Sequence, residues 1–318
     1  MQLKNGLSYY QTILSEEYGF KDFVLSLVRD GFDNDLWEVK TKDNKFALRV
    51  GKRKLGQAIK FEVDLIKHLE KNKLNVPKII QTLKKESFVL AKDDSALILF
   101  DFIEGKSLEV DPDHKPDLEI VHKAGTLLGN FHKYSLSFNS NIKRRSIFTE
   151  FERALVREKL IVKKLHGGEK FIKEVKEYID WSKSSDFPKG IIHNDYQPAN
   201  IMVDEKQNIT MIDFDWASPG PFAKDVGLAL ALWSYPNKGE QHLKKHWDDV
   251  YEEFLNGYNL TAPQKFKNDR DLIKWINFGC LSDTATFLAD LPEDDTKITE
   301  VTQCRRYLKF LYFDKIKN

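Results

Sequence analysis

The passage over residues 191–215, IIHNDYQPANIMVDEKQNITMIDFD, is the one β-type interruption in the otherwise helical second half of the chain. It begins with the pattern His-x-Asp-x-x-x-x-Asn, formed by His193, Asp195 and Asn200, and continues as a strand, a polar turn and a second strand that runs into Asp-Phe-Asp at Asp213. A β-hairpin between Asn200 and Asp213 would fold the chain back on itself, so we expect these two side chains to meet across neighbouring strands.

Phosphoryl transfer from a nucleotide needs a carboxylate that orients the attacking hydroxyl and two oxygen ligands for a Mg²⁺ ion that bridges the phosphates. Asp195 can be the carboxylate, and Asn200 and Asp213 can be the ligands. The alternative is a polar loop whose Asp and Asn side chains cap turns. The apolar run ITMID favours the site, because a carboxylate at the end of such a run is costly unless a cation or hydrogen bonds meet it.

The first hundred residues combine β-type runs with one clear helix, whereas the rest is mostly helical, and this shift predicts an α+β protein with a small β-rich unit and a larger α-rich unit. We expect the boundary near Gly105, between residues 1–104 and 105–318. Strands are predicted at residues 22–28, 35–41, 45–51, 87–91 and 96–103, and the helix at residues 57–73. Later helices are predicted at residues 117–137, 148–165, 168–183, 223–234, 239–257 and 270–290.

An arginine and a glutamate in the first unit support the same chemistry. Arg49 ends the β-type run KFALRVG, and Glu62 lies on the helix that follows. This is the order required for a strand cation that pairs with a helix carboxylate and reaches nucleotide phosphates. The alternative is two exposed surface charges that contribute little.

Charge and cysteine usage point to a small ligand in a reducing compartment. The 318 residues include 50 basic and 49 acidic side chains, and this balance gives no electrostatic reason to expect nucleic acid or an anionic membrane as partner. Cys280 and Cys304 match no zinc or redox spacing. The sequence has no secretory signal pattern and no long apolar run, so we expect a cytoplasmic protein.

The residues around 31–62 and 191–225 resemble the aminoglycoside phosphotransferase and choline kinase superfamily, the small-molecule branch of the protein-kinase fold. The resemblance implies a bilobed protein-kinase-like fold that binds ATP and Mg²⁺. It implies that Asp195 is the catalytic base, that Asn200 and Asp213 hold the metal, and that Arg49 with Glu62 orders the ATP phosphates. It also implies a hinge whose backbone meets adenine, formed by Phe100, Asp101, Phe102 and Ile103. Finally, it implies structural roles for His193 and Asp225.

Three departures from protein kinases qualify the resemblance. The loop GFDNDLW has a single glycine, and Arg49 stands where protein kinases have lysine. Arginine offers phosphate a bidentate fork, whereas lysine offers a point charge. Only about a dozen residues separate Asp213 from Asp225, without an A-P-E segment. That leaves no room for a protein-substrate platform, so no protein substrate is expected.

The acceptor hypothesis is an alcohol that carries an amine. Trp216, Trp233 and Tyr235 could offer aromatic faces to an ammonium group, as in choline or ethanolamine kinases, although Trp233 at helical spacing is also typical of a core residue. Acidic side chains such as Asp283 could serve a polycationic aminoglycoside, or they could be solvated surface residues. A kinase of choline, ethanolamine or a homoserine-type metabolite remains an alternative to an aminoglycoside kinase.

Two rivals come from other classes of protein. A two-metal phosphohydrolase could use His193, Asp195, Asp213 and Asp215 as ligands, but it needs more histidines than the sequence places nearby. A binding module that keeps the fold without transfer is the second rival, and the complete set of donor-site residues disfavours it.

Overall fold

A computed structural model gives the structure of the chain. It describes residues 6–31, 34–51, 58–108, 115–144, 147, 168–184, 186–234, 243–267 and 272–279. The predicted helix at residues 148–165 and the ends of the predicted helix at residues 270–290 lie outside the described residues.

A five-stranded antiparallel sheet forms the N-terminal unit, in the order β1-β2-β3-β5-β4. Alternating and apolar runs of β-branched and aromatic residues give it strand character. The predicted strands are confirmed with small changes at their ends. The strands are β1 Phe23–Asp30, β2 Asn34–Thr41, β3 Lys45–Gly51, β4 Val89–Leu90 and β5 Ala96–Asp101.

Two helices cover the sheet, one on each face. Helix α1 (Leu7–Tyr18) packs with Leu97 and Leu99 of β5, and helix α2 (Ala58–Lys71) packs with the alternate residues of the same strand. Because successive strand side chains point to opposite faces, β5 must be apolar throughout to bury both. This explains the unbroken run ALILF.

Helix α1 corrects the prediction of a single helix in the first hundred residues. Its buried side chains recur at steps of three and four residues, which places them on one stripe of the helix. Gly19 ends the helix in the left-handed conformation (φ 77°), and its N–H bonds back to the last turn. The mixed polar and aromatic sequence of this segment hides the stripe, whose members are Tyr10, Ile13, Leu14 and Tyr18.

The C-terminal unit is mainly helical. Asp117 caps α3 by accepting hydrogen bonds from the backbone N–H groups of Glu119 and Ile120. Helix α3 (Leu118–Ser135) packs so closely on helix α6 (Leu243–Thr261) that a Cβ at Gly125 would overlap the backbone oxygen of Phe254. Residues 272–279 are also helical. The named helices are α3 Leu118–Ser135, α4 Gly168–Ser184, α5 Phe222–Ser234 and α6 Leu243–Thr261.

Short strands place the loops of the site. One pair joins β7 (Lys189–Ile192) to β10 (Ser218–Pro221), and a second sheet has the order β6-β8-β9. Its strands are β6 Lys106–Ser107, β8 Ile201–Val203 and β9 Ile209–Met211. Strand β10 was not predicted, since its sequence SPGP lacks strand formers. The domain boundary near Gly105, which has φ 137°, stays a prediction.

Asn75 ties the end of α2 to strand β9. Its side-chain amide donates to the Ile209 carbonyl (3.1 Å), and its own carbonyl accepts from the Met211 N–H (3.0 Å). The helix that carries Glu62 is therefore joined directly to the strand that leads to Asp213. None of the helices in the described parts of the chain is long and apolar enough to span a lipid bilayer.

Candidate active site

Asp195 lies in the loop that follows β7, and neighbouring amides hold its carboxylate. The side-chain nitrogen of Asn200 donates to Oδ2 (2.7 Å) and to the backbone oxygen of Asp195 (2.9 Å), and Gln197 donates to Oδ1 (2.9 Å). Because the nitrogen of Asn200 is used here, its amide oxygen is the atom that a cation would bind. The carboxylate of Asp195 is thus oriented and partly exposed.

The hairpin of β8 and β9 brings Asn200 beside the end of β9. Ile201 pairs with Met211, and the Ile212 N–H donates to the Asn200 carbonyl (3.0 Å). Asp213 is the next residue, and its backbone is left-handed, with φ 67°. The predicted hairpin therefore brings the backbone of residue 213 next to that of residue 200, and the sharing of a cation by their side chains stays a prediction.

Asp213 presents a carboxylate oxygen that receives no hydrogen bond from any residue that the structure describes. About a third of the side chain is exposed (35%), but Oδ1 is shielded from solvent and lies 3.8 Å from a guanidinium nitrogen of Arg49. Burial and the negative charge of Asp215 raise the pKa of Asp213 well above its ordinary value. Oδ1 of Asp215 is likewise shielded, and within the described parts of the chain it has no hydrogen bond. Such oxygens fit a divalent cation, which takes carboxylate and amide oxygens as ligands.

Arg49 and Glu62 form a buried bidentate ion pair between β3 and α2. The two N–O distances are 2.6 and 2.7 Å, and the residues are 8% and 1% exposed. Burial opposes the charge of Arg49, but the field of Glu62 outweighs it and raises the pKa of the guanidinium above its ordinary value. The guanidinium also lies over the ring of Phe100 at 5.7 Å. A fixed cation therefore faces Asp213.

The predicted hinge residues follow directly from β5. Phe100 is buried, and Asp101 is tied to the opposite segment because its Oδ1 accepts from the Lys78 N–H (2.7 Å). Phe102 and Ile103 are half-buried, and the Lys45 ammonium lies 5.1 Å from the centre of the Phe102 ring. The adenine-binding role of this segment stays a prediction.

Asp225 holds the start of the Asp195 loop from the first turn of α5. Its carboxylate accepts from the backbone N–H groups of His193 (2.6 Å) and Asn194 (2.8 Å) and from Nε2 of His132 (3.1 Å). Burial would raise the pKa of Asp225, but these partners and nearby positive charge lower it below its ordinary value. The hydroxyl of Tyr258 donates to Nδ1 of His132 (2.8 Å), which completes a buried network.

His193 faces the protein interior. Its Nε2–H donates to the Ile212 carbonyl (3.0 Å), and its ring packs against Phe131, Tyr196 and Phe214. Burial lowers the pKa of His193, so the ring is neutral. These contacts suit a structural residue and disfavour His193 as a ligand of the two-metal site that the phosphohydrolase hypothesis needs.

Of the four predicted acceptor residues, two lie within the described parts of the chain. Trp216 is half-buried beside the Asp195 loop, and its carbonyl accepts from the side chain of Asn194 (3.3 Å). Trp233 is 2% exposed within the hydrophobic core. Tyr235 and Asp283 lie outside the described residues. Their roles in acceptor binding stay predictions.

Sequence reasoning missed three residues that hold the site. Asn34 donates to Oδ2 of Asp215 (3.0 Å) across the two units. Arg144 donates to the carbonyls of Asp215 and Ala217, and Lys224 donates to Asn194. Only Lys224 carried a signal, because a lysine in the apolar run FAKDVGLALALW is unusual.

The chain is similar in sequence to known proteins. The family model described as the phosphotransferase enzyme family matches residues 24–265. A homoserine kinase of Zymomonas mobilis is 23% identical over 244 residues, which cover 75% of this chain and 73% of that enzyme. A homoserine kinase of Nitrobacter winogradskyi is 24% identical over 65% of this chain and 63% of its own length.

Solved structures share the fold. An amicoumacin kinase in complex with AMP-PNP, Ca²⁺ and Ami has a TM-score of 0.77, with 14% identity over 98% of this chain and 94% of its own. A microcompartment-associated aminopropanol kinase has a TM-score of 0.69, with 17% identity over 97% and 94%. A choline kinase from Cryptosporidium parvum has a TM-score of 0.69, with 14% identity over 98% and 95%. The predicted α+β, bilobed protein-kinase-like fold is confirmed.

Proposed function

The chain belongs to the phosphotransferase enzyme family and is a small-molecule kinase; from this premise we propose that it transfers the γ-phosphoryl group of ATP, with Mg²⁺, to the hydroxyl of an amine-bearing alcohol. The predicted resemblance to aminoglycoside phosphotransferases and choline kinases is confirmed at the level of the family. The observation that carries the proposal is that Asn200 and Asp213 flank one hairpin, that Asn200 donates to Asp195, and that Asp213 faces the Arg49–Glu62 pair.

The proposed binding of the phosphoryl donor, MgATP, rests on the charged and polar side chains at the two ends of the β8–β9 hairpin. Asn200 and Asp213 would hold a magnesium ion, whose charge would offset that of the phosphate oxygens. The shielded Oδ1 of Asp213 supports this assignment, because no described residue gives it a hydrogen bond and the Arg49 guanidinium, at 3.8 Å, is too distant for one. A bound cation would reduce the cost of burying this oxygen. Arg49, fixed by Glu62, would order the phosphates from the opposite side.

The acceptor side rests on the carboxylate of Asp195. Asn200 and Gln197 fix both of its oxygens, so it can accept a hydrogen bond from an incoming hydroxyl and take its proton during transfer. Because this carboxylate is already oriented, it needs little rearrangement at that step, which lowers the barrier to transfer. Asp225 and His193 would act by holding the loop and would not touch the substrate.

The amine-bearing acceptor is supported by the names of similar proteins. Two relatives that are similar in sequence are homoserine kinases, and one protein of similar structure is an aminopropanol kinase. Homoserine and aminopropanol each carry an amine and a hydroxyl. A homoserine-type metabolite is therefore the first acceptor to test, ahead of choline, ethanolamine and the aminoglycosides.

A panel scored for ADP release tests the function. Purified protein with ATP and Mg²⁺ should release ADP with homoserine, aminopropanol, ethanolamine, choline or an aminoglycoside above the rate without acceptor. Turnover restricted to neutral sugars would contradict the proposed acceptor class. Phosphate release from model esters without ATP would favour a phosphohydrolase, and nucleotide binding without turnover across the panel would favour a silent binding module.

A further inference from the structure

Lys224 is a buried cation in an apolar helix. It is 2% exposed, although lysine is almost never fully buried unless it is paired. It also lies in the first turn of α5, where the helix dipole disfavours positive charge. Burial and the dipole both oppose a lysine here, so its contacts must compensate.

Those contacts converge on Asn194. The Lys224 ammonium donates to the backbone oxygen of Asn194 (2.9 Å) and to its side-chain Oδ1 (2.5 Å). Asn194 lies immediately before Asp195 and has a left-handed backbone, with φ 69°. Asparagine visits this conformation more readily than most residues, but it still costs energy.

The other two polar groups of Asn194 are held as well. Its N–H donates to Oδ1 of Asp225 (2.8 Å), and its side-chain nitrogen donates to the carbonyl of Trp216 (3.3 Å). Lys224 and Asp225 are consecutive residues of one helix, so α5 grips the same loop residue with an ammonium and a carboxylate. A strained backbone persists only where its surroundings fix it in this way.

We propose that Lys224 is a positioning residue, which holds Asn194 in its left-handed conformation and thereby aims the carboxylate of Asp195 at the acceptor hydroxyl. The inference rests on the proposed function of Asp195. Lys224 would contact neither the nucleotide nor the acceptor. Loss of its ammonium should therefore slow the transfer step and leave nucleotide binding in place.

The variant Lys224→Met tests the proposal, because methionine keeps an unbranched apolar stem and removes the donors. We expect kcat to fall about 10- to 100-fold, as for misplacement of a catalytic group, with the KM for ATP within about twofold of wild type. Amide hydrogen exchange over residues 190–200 should become at least about tenfold faster. The control Lys189→Met neutralises an exposed lysine on β7 and should leave kcat and the amide exchange of residues 190–200 unchanged.

Two variants of Asn194 keep the test valid if Lys224→Met folds poorly. Both variants, Asn194→Gly and Asn194→Ala, lose the side-chain bonds of Asn194, but glycine adopts the left-handed backbone without strain and alanine does not, so the alanine variant should be the slower enzyme. Adding Lys224→Met to Asn194→Gly should cost less than adding it to wild type, since the two residues act together.

Unchanged kcat and unchanged loop exchange in Lys224→Met would overturn the proposal. A kcat loss that is the same on the Asn194→Gly background would also overturn it. Loop exchange needs no turnover, so it separates this inference from the proposed function. A wild-type protein that transfers nothing would overturn the function, and the exchange comparison would still decide whether Lys224 holds the loop.

Discussion

Asn200 donates a hydrogen bond of 2.7 Å to Oδ2 of Asp195, and this contact links the proposed metal ligand to the proposed base. The amide nitrogen orients the carboxylate, which leaves the amide oxygen for a cation. One side chain would thus set the distance between the phosphoryl donor and the acceptor hydroxyl.

The variant Asp195→Asn removes the proposed base and keeps the shape of the side chain. We expect kcat to fall about 10²- to 10⁴-fold, the usual contribution of general base catalysis. ATP affinity should stay within about threefold of wild type, because Asp195 would act on the acceptor. Steady-state kinetics and calorimetric titration with MgATP measure the two effects. Equal losses of affinity and kcat would show that Asp195 belongs to the nucleotide site.

The variant Asp213→Asn should separate stability from metal binding. The shielded Oδ1 of Asp213 has no hydrogen bond from a described residue, and burial with the charge of Asp215 disfavours the ionised form. A neutral amide should therefore leave the metal-free protein as stable or more stable, by up to about 1 kcal/mol, although it weakens the contact with Arg49. Magnesium-dependent nucleotide binding should be lost. Thermal denaturation with and without MgATP measures both the stability of the metal-free variant and the stabilisation that MgATP gives it. A destabilised variant that still gains stability from MgATP would contradict the assignment.

Removal of Glu62 should expose the cost of a buried arginine. In Glu62→Gln the guanidinium of Arg49 loses its compensating charge, and we expect a loss of about 3–5 kcal/mol in the free energy of unfolding. Urea denaturation measures this loss. The control is Lys60→Ala, because Lys60 pairs with Asp64 on the exposed side of the same helix at 3.5 Å. Such surface pairs contribute about 0–1 kcal/mol, so similar losses in both variants would contradict the buried-pair account.

His132 should make the protein less stable in mild acid. Burial lowers its pKa in the folded state, although Asp225 partly offsets the effect. The unfolded chain therefore binds the proton first, and stability is lost as pH falls below about 6.5. The slope from this group is at most about 1.4 kcal/mol per pH unit. Urea denaturation between pH 8 and pH 5 measures it, and the variant His132→Gln should reduce the slope. An unchanged slope in that variant would assign the acid sensitivity to other groups.

The sequence predicted the parts of the molecule that local pattern determines. The hairpin between Asn200 and Asp213 followed from two short apolar runs around a polar turn, and the strand of Arg49 followed from its β-branched neighbours. The first helix was missed because two members of its buried stripe, Tyr10 and Tyr18, are amphipathic and lie among polar residues. Periodicity is weak in such a segment.

Contacts made by the tertiary fold could not be read from the sequence. Nothing marks Asn194 as left-handed, since asparagine also occupies ordinary turns. Arg144 reaches the carbonyls of Asp215 and Ala217 from more than 70 residues away in the chain. The hydrogen bond of Asn34 to Asp215 depends on how the two units meet. These contacts require the three-dimensional arrangement of elements that are each predictable alone.

Phosphorus NMR of the complete reaction tests the central claim most directly. With ATP, Mg²⁺ and a homoserine-type or other amine-bearing alcohol, the wild-type protein should produce a phosphomonoester of the acceptor hydroxyl and an equal amount of ADP. The Asp195→Asn variant should produce neither at a comparable rate. Inorganic phosphate with ADP, formed at the same rate with or without an acceptor and unaffected by Asp195→Asn, would contradict the account.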